Sequence, residues 1–247
     1  MMSEPVVVVF LLGLVTALAT GLGALPFVFV PSVAGRTIAW ANALASGLML
    51  GASFGLTVEG TRYGGAQTLA GGALGVLFIL LTQRVLDDRE VGFGSATGQS
   101  AREMAMIVVV MTVHSAAEGI AVGSAFAGGP TLAVVVTAAI ALHNVPEGLA
   151  ITAVLRPRGT SVARSAGWSI FSSLPQPILA IPAFLFVEAV SPALPYAMGF
   201  AGGAMVFMVF EELLPAAYEE GSRARVGLLT SVAVVAMILF QASLGGH

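Results

Sequence analysis

The chain has 247 residues, of which 57% are hydrophobic and only 9% charged, and its mean hydropathy is +0.96. An ordinary soluble domain carries about 25% charged residues, so this composition excludes an aqueous globule and points to lipid. A net charge of -3, basic residues that are all arginine and a complete lack of cysteine exclude a nucleic-acid partner, a disulfide framework and thiolate chemistry.

A bilayer core takes about 20 apolar residues per helix. On that measure the predicted spans are 6–30, 37–58, 65–83, 104–127, 131–155, 165–188, 194–215 and 225–244, eight transmembrane helices in a single membrane domain, 1–247. The start, "MMSEPVVVVFLLG", lacks the positive n-region of a cleaved signal peptide. Glu59, at the outer end of the second span, is a candidate cation entrance, although a solvated helix end explains it more simply. The third span is short and glycine-rich, and the polar stretch 84–103, "RVLDDREVGFGSATGQSARE", reads as a mobile cytoplasmic loop. Gln176 lies mid-way through the sixth span between Pro175 and Pro177, and Glu211 and Glu212 near the inner end of the seventh are candidate exit positions. With the N-terminus outside, nine of the ten arginines fall on the cytoplasmic side and only Arg62 does not. That bias fixes both termini as extracellular or periplasmic.

The fourth and fifth spans carry one phrase twice, "HSAAEGIAV" from His114 and "HNVPEGLAI" from His143. Residues i and i+4 share a helix face, so His114 points with Glu118 and His143 with Glu147. Gly128, Gly129 and Pro130 force an antiparallel hairpin between the spans. The two histidines lie 15 and 14 residues from Gly129, which is nearly the same depth. Two glutamates at mid-membrane cost roughly 5–7 kcal/mol on insertion scales, and no lysine or nearby arginine is present to offset them. A divalent cation held by two neutral imidazoles and two carboxylates would neutralise the set; protonation is the other way. Pro146 removes one backbone N–H and frees the Leu142 carbonyl.

This repeated phrase resembles the ZIP (Zrt/Irt-like) family of divalent metal transporters, particularly its prokaryotic branch. "ASGLMLGASF" (45–54), "SSLPQPILA" (172–180) and "GFAGGAMVFMVFEELLPAA" (199–217) are similar to the family's second, sixth and seventh helices. The resemblance implies an all-α integral membrane protein with a 3+2+3 inverted-repeat bundle, and a metal site built from His114, Glu118, His143 and Glu147, with Met49 as a further candidate ligand. It also implies import toward the cytoplasm across the cell (inner or plasma) membrane. Where relatives form an adjoining second metal site, this chain has Ser115, Asn144 and Gln176, so the expectation is one principal site and a weak or absent second.

Imidazole and carboxylate ligands suit zinc, iron, manganese, cadmium or cobalt, and the lack of thiolate argues against copper(I). Zinc is the first expectation as substrate, with no organic cofactor. The expected partners are the lipid bilayer and divalent ions, with a homodimer as a candidate assembly and no nucleic acid. Competing readings are an intramembrane zinc hydrolase, against which the missing HExxH arrangement counts, and a metal-free proton relay. The first reading makes the chain a transporter working by alternating access, not an enzyme.

Overall fold

In lipid, backbone N–H and C=O groups must bond within their own segment, so long apolar runs fold as helices. The computed structural model describes residues 4–30, 35–87 and 98–245. Those residues form α1 (Glu4–Leu22), α2 (Pro26–Phe29), α3 (Gly35–Asp87), α4 (Gly98–Ala127), α5 (Pro130–Leu155), α6 (Val162–Ser172), α7 (Pro175–Ala189), α8 (Leu194–Met208), α9 (Leu214–Glu220) and α10 (Arg223–Gly245), and no strand is found among them. Among the described residues, six helical stretches are long and apolar enough to cross a membrane: Glu4–Phe29, Gly35–Thr82, Pro130–Arg158, Val162–Ala189, Leu194–Glu220 and Arg223–Leu244. The chain is therefore a multi-pass integral membrane protein.

The second stretch has 48 residues, about twice the length a bilayer core requires. It is broken at Gly64, where the backbone leaves helical geometry. A Cβ placed on Gly60 would lie 2.9 Å from Thr68 Oγ1, whereas eight residues of straight helix span about 12 Å, so α3 bends sharply into two arms. The α4–α5 turn uses Gly129 at φ 118, a conformation open to glycine alone among common residues. Pro130 then starts α5 with its ring already at a helical φ, and α5 runs on through Pro146.

The predicted sixth span is two helices, with a turn at Ser173–Leu174 where Ser173 N–H donates to Ile170 C=O and Leu174 N–H to Phe171 C=O. The cause is local: Pro175 and Pro177 supply no N–H and start a new helix. The seventh passes through a π-helical segment, Val209–Leu213, in which Leu214 N–H reaches back to Val209 C=O. Pro215 leaves the Glu211 carbonyl without its i+4 donor, which favours the wider turn there. Of the predicted loop 84–103, residues 84–87 belong to α3 and 98–103 to α4. Its centre, including Arg89, lies outside the described residues.

The helices pack in two groups. One holds α1, α4, α5, α6 and α7; the other holds α3, α8, α9 and α10. They meet chiefly where α5 lies against α3 and α10, and where α4 lies against α8.

Candidate metal centre

His114 and Glu118 come from one turn of α4, His143 and Glu147 from one turn of α5, as their i,i+4 spacing requires. Each offers one ligand atom, and the four atoms lie within 4.8 Å of one another. All four residues are essentially without solvent contact, at 0–1% exposure. Both Glu-Gly pairs have a packing reason. Gly119 admits the carbonyls of Pro175 and Gln176 at the start of α7, and Gly148 admits the Thr20 carbonyl of α1. Any side chain at either glycine would push a neighbouring helix away from the cluster.

The two carboxylates are held differently. Glu118 Oε1 lies 2.5 Å from His143 Nε2 and 3.4 Å from His114 Nε2. Glu118 Oε2 accepts a hydrogen bond from Gln176 Nε2 at 2.5 Å. Glu147 accepts none: both its oxygens are buried without a hydrogen-bond partner, and its nearest cationic candidate is His114 Nε2 at 3.7 Å. A buried carboxylate with no donor costs several kcal/mol. The Nδ1 atoms of both imidazoles also lack partners, so packing and the carboxylates set the ring orientations. Two imidazole nitrogens and two carboxylate oxygens in this small volume form a donor set fitted to a borderline divalent ion.

Ser115, Asn144 and Gln176, expected at a second site or its lining, lie beside Glu118 and are fully buried. Asn144 Nδ2 donates to the Thr16 carbonyl at 2.8 Å and to Gln176 Oε1 at 3.2 Å, while Gln176 Nε2 also reaches Ser115 Oγ at 3.5 Å. Thr16 was not foreseen as part of the site. It contributes a backbone carbonyl, and the only sequence signal is a small polar residue within the apolar run of α1.

The remaining candidates lie on α3 (Met49 and Glu59) and in the π-helical segment (Glu211 and Glu212). Met49 is fully buried in the main apolar core, in the same cluster as Ile140 and Ile151 of α5. Glu59 pairs with Arg62 at 3.3 Å. Glu211 and Glu212 both fall in the π segment, with Glu211 exposed and Glu212 half-buried.

Comparison with known proteins agrees with this geometry. Residues 87–240, well over half of the chain, match the family described as ZIP Zinc transporter. Zinc transporter GufA of Myxococcus xanthus is 31% identical over 92% of this chain and 97% of its own length. Zinc transporter ZIPB of Bordetella bronchiseptica is 32% identical over 92% of this chain and 78% of its own. A longer Arabidopsis thaliana relative, At3g08650, is 44% identical over 93% of this chain, which spans only 38% of that protein. By the matched region and by its full-length bacterial relatives, the chain belongs to the ZIP zinc transporter family.

Proposed function

We propose that this chain carries divalent metal ions, zinc first among them, across the cell membrane toward the cytoplasm by alternating access at the His114–Glu118–His143–Glu147 cluster. The observation that carries the proposal is Glu147, a buried carboxylate whose oxygens both lack a protein donor and which faces three other metal-ligand side chains. A passing cation supplies the missing charge. The names of the bacterial relatives support transport over hydrolysis.

Eight spans follow if α1–α2, the two arms of α3, α4, α5, α6–α7, α8–α9 and α10 each cross once. With nine of ten arginines on one side, both termini lie outside. The whole of 1–247 then acts as one transport domain, with the 3+2+3 inverted repeat around α4 and α5. All four ligands sit on α4 and α5, the helices through which one packing group meets the other, so displacement of one group against the other would open the site to each side in turn. Met49, on α3 of the other group, is the candidate soft donor. Glu59 marks the entrance and Glu211 and Glu212 the way out.

The test is uptake into proteoliposomes loaded with a fluorescent chelator, comparing zinc, iron(II), manganese and cadmium. Saturable uptake lost in a His143→Ala, Glu147→Ala double variant supports the reading. Wild-type protein that is correctly inserted and moves none of these ions overturns it.

A further inference from the structure

Polar residues recur at four-residue intervals on three helices of one packing group, α1, α5 and α6, and the recurrences meet. On α1 they are Thr16 and Thr20; on α5, Asn144 and Thr152 with Gly148 between; on α6 and at its end, Ser165, Ser169 and Ser173. Residues four apart share a helix face and lie about 6 Å apart along the axis. Contacts fix the register at the first two levels. Asn144 Nδ2 donates to the Thr16 carbonyl at 2.8 Å. One turn on, Gly148 admits the Thr20 carbonyl, and Thr20 Oγ1 shares a hydrogen bond of 2.8 Å with Ser173 Oγ. Beyond that, Gly21 of α1 packs on Ile170 and Ala166 of α6, which leaves Thr152, Ser169 and Ser165 on the continuation of the same faces.

The helix α6 is built inside out. Its fully buried residues, Ser165, Ser169 and Ser172, are all serine, whereas Phe171 is 52% exposed. A membrane helix that turns its hydroxyls inward sets them against polar partners or water. Ser172 Oγ has such a partner, the Ser169 carbonyl at 2.9 Å. The hydroxyls of Ser165, Ser169 and Thr152 have none, although all three residues are wholly buried. By contrast, Thr16, Ser46, Ser53 and Thr112 each donate to a carbonyl of their own helix three or four residues back. At the two ends of the seam, Asn144 Oδ1 and Arg156 Nε are also buried without a partner. Ser124 and Thr137 carry unpartnered hydroxyls too, but near the α4–α5 turn, at the opposite end of α5 from Arg156. A buried hydroxyl left dry costs as much as a lost hydrogen bond, and a buried water takes about two to four polar partners. We infer that the seam between α1, α5 and α6 holds a file of bound water running from Arg156 to Asn144. Arg156 is partly exposed, so the file meets solvent there, and Asn144 adjoins His143 at the other end. On the transport role proposed above, the file supplies water to an ion leaving its ligands by a route inside one packing group.

The chain has no cysteine, so a single introduced thiol reports local water through exchange of S–H for S–D in D2O, read by infrared absorption. Ser165→Cys and Ser169→Cys, each a one-atom change, are made in the full-length protein in liposomes, with Ala139→Cys as the reference. Ala139 lies on α5, is 1% exposed and belongs to the apolar core. The two seam thiols are expected to exchange at least about tenfold faster than the reference, whose exchange must wait for the helices to open. Thr152→Val asks separately whether the Thr152 hydroxyl is bonded, because it keeps the shape and removes only the polar atom. Loss of a water-bonded hydroxyl lowers Tm, whereas loss of a dry one raises it. A fall of about 2–4 °C is expected, the size of one hydrogen bond in a chain of this length. Seam thiols that exchange no faster than Ala139→Cys, or a Thr152→Val variant that melts no lower than wild type, overturn the inference and leave transport standing. Neither readout uses a metal ion, so wild type that moves no ion overturns the transport reading alone.

Discussion

Replacing each glutamate by methionine separates their roles, because one is satisfied by the protein and the other is not. Both are buried, so the change in volume is small and the effect is mainly polar. Glu147→Met removes two oxygens that accept no hydrogen bond. The insertion cost of such a charge is about 2.5–3.5 kcal/mol, and His114 at 3.7 Å offsets part of it. The metal-free variant should therefore be more stable than wild type, by about 1–3 kcal/mol. For a chain of this size that is roughly 2–12 °C in Tm. Glu118→Met does the reverse: it strands the Gln176 N–H and the nearby His143 nitrogen, for a loss of about 1–3 kcal/mol. Zinc at 100 times its Kd should stabilise wild type by about 2.7 kcal/mol, and neither variant should keep that gain. Thermal unfolding in detergent, followed by tryptophan fluorescence with and without zinc, measures all these terms. If metal-free Glu147→Met melts well below wild type, Glu147 has a supporting partner and the cost assigned to it is wrong. If it retains the full zinc shift, Glu147 is not a ligand.

Gly148→Ala should be strongly destabilising, because its Cβ would strike the Thr20 carbonyl, a backbone atom that cannot swing aside; a cost of about 1–3 kcal/mol should appear as a lower Tm and weaker zinc binding. Thr20 and Ser173 share a buried hydrogen bond of 2.8 Å, so a Thr20→Val, Ser173→Ala double-mutant cycle in thermal unfolding should give a coupling of about 0.5–1.5 kcal/mol. Glu59→Gln should alter uptake by about twofold or less and only at low ionic strength, since Glu59 is already paired with Arg62 near the surface; uptake measured across a salt series checks this.

The four-ligand cluster was legible in the sequence because each half is set within one turn of helix, and the halves are joined by a hairpin short enough to count across. His114 and His143 needed only the helical rise and the turn at Gly129 to be placed together. The line through Thr16, Asn144 and Gln176 was not legible. The Asn144 to Thr16 bond joins residues 128 apart, and its acceptor is a main-chain oxygen that carries no residue signature. Gln176 was marked by its position between two prolines, but its direction depends on Asn144 and on how α7 lies on α4. The same limit applies to the helix interruptions. Hydropathy registers a span of 165–188 and cannot register that Pro175 and Pro177 restart it, nor that Pro215 widens the turn carrying Glu211 and Glu212.

Close backbone contacts show where this fold is rigid. Glycines bring α4 onto α7 at Gly119 and Gly123, and α1 onto α5 at Gly148. They bring α3 onto α8 at Gly199 and Gly203, and α3 onto α10 at Gly47. Among the described residues, no glycine brings the backbone of one packing group against that of the other. Between the groups lies a buried side-chain cluster that holds Ala117 of α4 together with Ile79 of α3 and Ala204 and Met208 of α8. Backbone atoms wedged together cannot slide, whereas small side chains can exchange neighbours at low cost. The chain has no native cysteine, so paired cysteines can test this cleanly. Gly123→Cys with Ala183→Cys joins α4 to α7 inside one group, and its disulfide should leave zinc uptake near the level of the reduced form. Ala117→Cys with Ala204→Cys joins the groups, and its disulfide should stop uptake until it is reduced. Uptake that continues unchanged with the second bridge closed would mean that the two groups do not move against each other during transport.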